Sequence, residues 1–239
     1  MNHRLKSLLW LRWQILQSNK FLLFVFLLSP YLDTYLLRIF VEMMGDTGTD
    51  TYIQMFISSL ILGGLTYGNV TIVVSTVVAE EKQKRNLRTL SLAGVTVGEY
   101  LLSVILIPFG AAMILGFLTP FVFGVPLTNW LLYFGLLLLT LLAYLLVGLV
   151  VGLVLKTVLQ VMSVSIIVFI LSCFLPLAAG FSSMPILQGL MNVSLIGASH
   201  TFLLTGSVKW IPFLALCFWL TLFLVLAVWA YQRNLREER

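Results

Sequence analysis

Six apolar runs, each about as long as a bilayer is thick, leave this chain few folds to choose from. A helix needs about 20 apolar residues to cross about 30 Å of hydrocarbon. The runs cover residues 21–37, 52–79, 100–123, 130–155, 158–180 and 210–231. Membrane barrel strands alternate in polarity, and these runs do not. Composition agrees: 60% of the 239 residues are hydrophobic and 10% are charged, against about a quarter charged in a soluble domain. The expected fold is all-α: one transmembrane domain over residues 1–239 with six membrane-spanning helices.

The basic residues set the expected orientation. Arg4, Lys6, Arg12 and Lys20 precede the first run. Lys82, Lys84, Arg85 and Arg88 lie between the second and third. Lys156 separates the fourth from the fifth, and Arg233, Arg236 and Arg239 follow the sixth. These twelve share one side, and only Arg38 and Lys209 fall on the other. Basic loops stay inside the cell, so both termini are expected in the cytoplasm of a multi-pass protein of the cell membrane. The acidic residues Glu42, Asp46 and Asp50 fall in the first outer loop. A net charge of +5 is therefore spent on orientation rather than on nucleic acid.

Residues 1–20 read as a cytoplasmic interfacial helix. Leu5, Leu8, Leu9, Trp13 and Leu16 recur at helical spacing. Arg12 lies close to that stripe and is expected to snorkel toward water. The stretch is too polar for the core of a signal peptide. Residues 181–208 are apolar but interrupted by Pro185, Gly189, Asn192, Gly197, His200 and Gly206. Neither piece is long enough to cross. The pair is expected as two short helices dipping into the membrane from the outer side, with protein covering their ends.

Little in the chain can perform covalent chemistry. There is no G-x-x-x-x-G-K-[ST] loop, so the chain does not hydrolyse ATP in the P-loop manner. Cys173 and Cys217 lie inside apolar runs, and His3 and His200 are the only histidines. Neither a disulfide framework nor a His-rich metal centre is expected. The run from Glu80 to Arg85 spells E-E-x-x-x-R, which resembles the first motif of the membrane-embedded CAAX-type proteases. The other halves of that site are missing: Ile196, not Phe, stands four positions before His200, and no second histidine lies in a run.

The same segment reads better as a docking element. Glu80 and Glu81 close the second run, Lys82, Lys84, Arg85 and Arg88 follow, and then comes Thr89-Leu90-Ser91-Leu92. Residues 80–92 hold no helix breaker, so a short helix along the membrane is expected within the loop 80–97. Its charges would face water, and Leu87, Leu90 and Leu92 would meet something apolar. Glu99 opens the third run. The stretch from Ala79 to Leu102 resembles the signature of the type-two ABC transporter permeases, carried here by Glu80, Glu81, Lys82, Thr89, Leu90 and Glu99. Where that family often has Gly before the Thr, this chain has Arg88. The layout of interfacial helix, six spans and two short outer helices is similar too.

The resemblance implies a membrane-spanning subunit of a bacterial exporter that works with a separate ATP-binding cassette subunit. That partner would bind ATP and Mg, and this chain would hold no cofactor of its own. A second permease chain, identical or different, would complete the unit. Glu80, Glu81, Lys82, Arg85, Thr89, Leu90 and Leu92 would couple the chain to the ATPase. Leu5, Leu9 and Trp13 would seat the interfacial helix on membrane lipid. Asp33 stands about 20 Å along a helix starting at Phe21, at 1.5 Å per residue, beyond Pro30. With Thr66 and Asn69 it is a candidate for the translocation path, although an acid at that depth also suits the outer interface. The largely apolar lining favours an amphipathic or lipid-like cargo, a peptide or a drug. A membrane anchor or scaffold without transport is the rival reading.

Overall fold

The computed structural model describes residues 2–18, 20, 35, 39, 67–84, 89, 90, 92–123, 125, 127, 129–181 and 184–237. All the regular structure among them is helical. α1 spans Asn2–Ser18, α2 Asn69–Gln83, α3 Val97–Phe123, α4 Trp130–Val154 and α5 Val158–Phe181. Two short helices follow, α6 over Pro185–Val193 and α7 over Gly197–Thr205, and then α8 over Trp210–Glu237. α3, α4, α5 and α8 are long and apolar enough to cross a membrane. The pair α6–α7 would add a fifth span if counted as one, but it is bent by 112° at its break. Multiple apolar helices of this length fit a multi-pass membrane protein. The expected first span, 21–37, lies outside the described residues. Of the expected second span, 52–79, only the end that becomes α2 lies within them.

Helix ends follow local chemistry. Asn129 caps α4, its side-chain oxygen accepting from the N–H groups of Leu131 at 3.1 Å and Leu132 at 3.2 Å. Thr96 and Glu99 form a reciprocal capping box at the start of α3. The Thr96 N–H donates to Glu99 Oε2 at 2.9 Å, and the Glu99 N–H donates to Thr96 Oγ1 at 3.3 Å. Pro185 sits in the first turn of α6, where its missing N–H leaves no bond unmade.

α2 sits at the centre of the described bundle, packed against α4 and α5. Tyr67 stacks on Tyr144 with ring centroids 5.3 Å apart. One turn on, Thr71 Oγ1 donates to the Tyr144 carbonyl at 3.0 Å. A Cβ added to Gly148 would lie 2.9 Å from the Thr71 carbonyl oxygen, and one added to Gly152 would lie 2.7 Å from that of Ser75. The contacts advance together along both helices, so α2 and α4 run parallel. The two glycines permit backbone-to-backbone contact, as small residues do between membrane helices. α5 runs the other way: Gly68 meets Phe169, and Ser75 Oγ meets Ser165 Oγ at 2.7 Å.

This alternation of direction gathers the C-terminal ends of α2, α4 and α8 with the N-terminal end of α3. α6 and α7 sit at the other end. There Gln188 Nε2 donates to the Ala179 carbonyl at 2.7 Å, and Trp219 Nε1 donates to that of Val193 at 2.8 Å. An aromatic cluster of Phe117, Phe121 and Trp130 lies where α3 gives way to α4, with the Phe121 and Trp130 rings 4.7 Å apart.

Candidate functional site

The end of the bundle that collects Lys82, Lys84 and Lys156 also collects its buried charges. Arg12 of α1 and Glu81 of α2 are 4% and 6% exposed. Arg12 Nη1 donates to Glu81 Oε1, and Nη2 donates to Oε2 at 2.9 Å. The pair is a two-point fork, the geometry in which guanidinium and carboxylate bind most strongly. Tyr100 of α3 adds a third ligand, its hydroxyl donating to Glu81 Oε2 at 2.9 Å. The Arg12 guanidinium carbon stands 5.7 Å from the Tyr100 ring centroid, within cation–π range. Tyr100 in turn packs on Tyr231 of α8, centroids 5.0 Å apart. One network thus joins four helices.

Lys82, the next residue, reaches the other way. Its Nζ donates to the carbonyl of Leu153 at 2.6 Å and of Leu155 at 3.3 Å. A cation there satisfies carbonyls that the end of α4 leaves without helical donors. Asn234 Nδ2 of α8 donates to the same Leu153 carbonyl at 2.9 Å and to that of Ala230 at 2.8 Å. α2, α4 and α8 are therefore pinned at their C-terminal ends. Glu80 is partly exposed and pairs with Lys84 one turn on, at 3.8 Å. A solvated pair of this kind contributes at most about 0.5 kcal/mol.

These facts revise two expectations. Arg12 does not snorkel to water, because a buried carboxylate from α2 meets it inside the bundle. The side of α1 that turns inward therefore carries Leu8 and Arg12, while Trp10 and Trp13 are exposed and Leu9 is half-buried. Nor do residues 80–92 form one helix lying apart from the second span. Glu80–Gln83 continue α2, which closes at Lys84 with its N–H bonded to the Glu80 carbonyl at 3.0 Å. Glu81 is a buried anchor, not a water-facing charge.

Helix is present again at Thr89, Leu90 and Leu92. The Ala93 N–H bonds to the Thr89 carbonyl at 3.0 Å, and the Val95 N–H to the Leu90 carbonyl at 3.1 Å. Gly94 between them has φ 75°. A left-handed glycine with a six-to-one bond back across it is the Schellman ending. Its usual apolar contact has its residues in place, since Leu90 and Val95 are both half-buried against the core. Leu92 points the other way and is 80% exposed. A fixed helical turn thus offers one large apolar side chain at the polar end of the bundle, two residues before the chain turns toward α3.

Of the expected path residues, Asn69 is buried on α2, and its Nδ2 has no hydrogen-bond partner. Asp33, Thr66, Arg85 and the side chain of Leu5 lie outside the described residues. Among the described residues no group of three His, Cys, Asp or Glu side chains is placed to hold a metal ion. The pairing of Arg12 with Glu81 and the bonds from Lys82 and Asn234 to α4 escaped sequence reasoning. A buried arginine on one helix requires an acid elsewhere, and the Glu80–Glu81 pair was the available signal for it. No family model matches the chain, and no curated protein matches it.

Proposed function

We propose that this chain is the membrane-spanning permease subunit of an ATP-driven exporter, coupled to a separate ATP-binding subunit through the turn that carries Leu92. The observation that carries this reading is Leu92 itself. It is exposed on a capped helical turn, at the end where twelve of the fourteen basic residues are expected by sequence. By the positive-inside rule that end is cytoplasmic, where ATP is. Residues 21–37 and 52–79 supply the remaining two of six spans, and both termini are cytoplasmic.

The mechanism is mechanical. The partner ATPase binds ATP and Mg and grips the Thr89–Leu92 turn in an apolar cleft. Movement of the ATPase on ATP binding displaces the turn. Val95 and the Thr96–Glu99 cap pass the displacement to α3. The Glu81–Arg12–Tyr100 network passes it to α1, α2 and α8 together. A distant ligand thereby biases a two-state arrangement of spans. A second permease chain completes the path, and its apolar character suits an amphipathic or lipid-like cargo.

Purification from native membranes tests the reading. A P-loop ATP-binding subunit is expected to accompany the chain, with hydrolysis stimulated by an exported amphipathic compound. A chain that copurifies with no ATP-binding subunit under conditions that preserve the membrane contradicts it. Leu92→Asp is expected to release that subunit while leaving the chain inserted.

A further inference from the structure

Between α1, α2 and α3 lies a small cavity lined by Arg12, by Val73, Val74 and Val77, and by Val104 and Pro108. The space open there to the centre of a water-sized sphere is about 10 Å³, close to what a single water requires. A void of that size with apolar walls alone would stay dry. Two polar groups on its lining residues make this one different.

The first is a donor. Both terminal nitrogens of Arg12 are engaged by Glu81. Its Nε is buried and has no partner. Guanidinium carries a donor at Nε as well as at its tips, and a buried donor on a charged group left without an acceptor is costly.

The second is an acceptor. Pro108 lies inside α3 and has no N–H to return to the carbonyl of Val104. In an α-helix the carbonyl of one residue points along the axis toward the nitrogen four residues on. Val104 and Pro108 both line the cavity, so the carbonyl that the proline frees belongs to the stretch of α3 that forms its wall. Two residues that line a space of one water's size thus carry an orphan donor and a freed acceptor.

We propose that one buried water molecule occupies this cavity, accepting from the Nε–H of Arg12 and donating to the carbonyl of Val104. The water ties α1 to the proline break in α3, as the ion pair ties α1 to α2. It completes the hydrogen bonding of the arginine and of the interrupted helix in one step. This assignment does not depend on the transport reading.

The direct test is an experimental structure of the intact chain in lipid nanodiscs at a resolution that shows ordered waters. A density peak about 2.7–3.2 Å from both Arg12 Nε and the Val104 oxygen is expected. A void without density, or a side chain filling it, overturns the proposal. A thermal test runs alongside. Val77→Ile pushes a methyl into the cavity. If a water is evicted and Nε stranded, the melting temperature falls by about 2 °C or more. In an Arg12→Met, Glu81→Met background there is no Nε to strand, and the same change raises it. A rise in both backgrounds means that the cavity is dry. An equal fall in both means that the methyl merely overpacks. Either result overturns the assignment, and if the double variant does not fold the nanodisc structure decides.

Discussion

Arg12 and Glu81 stand 69 positions apart in the chain and meet as a buried two-point ion pair whose carboxylate also accepts from Tyr100. Removing one partner leaves the other charge buried alone, which costs about 3–5 kcal/mol. Arg12→Ala and Glu81→Ala are therefore expected to lower the melting temperature in detergent strongly. Arg12→Met with Glu81→Met is expected to be less damaging than either, since apolar replacement of a whole buried pair is often near neutral. A double-mutant cycle on melting temperatures checks this. Additive losses would mean that the two side chains do not act as a pair.

The parallel packing of α2 on α4 rests on glycine. A methyl at Gly152 would sit 2.7 Å from the Ser75 carbonyl oxygen and 2.8 Å from Val78 Cβ. Neither is the far end of a flexible side chain, so a backbone must move. Gly152→Ala is expected to destabilise by about 1–3 kcal/mol, the usual cost of overpacking. Gly135, on the same helix, has nothing within 4 Å of an added Cβ. Gly135→Ala is expected to stay within about 0.5 kcal/mol of the parent. Thermal unfolding of the two variants side by side measures the contrast.

The turn bearing Leu92 is held by its ending. Gly94 at φ 75° occupies a region that costs an L residue about 1–2 kcal/mol. Gly94→Ala is expected to loosen residues 89–95, and Thr96→Ala is expected to cost about 1 kcal/mol through the lost cap of α3. Hydrogen exchange reads the second effect at the Glu99 amide and the first at the Ala93 and Val95 amides. Gly94→Ala should raise exchange at these two amides with little change in α4, and unchanged protection there would contradict the Schellman assignment.

Hydropathy made the long helices legible. Lipid demands an apolar run of fixed length, and α4 over Trp130–Val154 and α5 over Val158–Phe181 fall within a residue of the runs read from sequence. The breaks at Pro185 and Gly197 likewise marked where α6 and α7 begin. α8 runs past its apolar run to Glu237, because a helix does not stop where hydrophobicity does. What stayed hidden was the polar pairing. Helical spacing placed Arg12 beside an apolar stripe, and with no partner in view water was the obvious destination. Which of Glu80 and Glu81 turns inward depends on the rotation of α2, and that is set by Gly148 and Gly152 on a helix seventy residues further along. Glu99 was read as part of a docking signature, yet its carboxylate is engaged by Thr96 at the start of its own helix.

Cross-linking from Leu92 addresses the coupling proposal itself. In a Cys173→Ser, Cys217→Ser background, Leu92→Cys can be treated in intact cells and in inverted vesicles. The account predicts no reaction with an impermeant maleimide from outside, reaction from inside, and, with benzophenone maleimide on that cysteine, a photo-adduct with a P-loop ATP-binding protein that depends on nucleotide state. Labelling of position 92 from outside the cell, or adducts that never contain an ATP-binding protein, would contradict it.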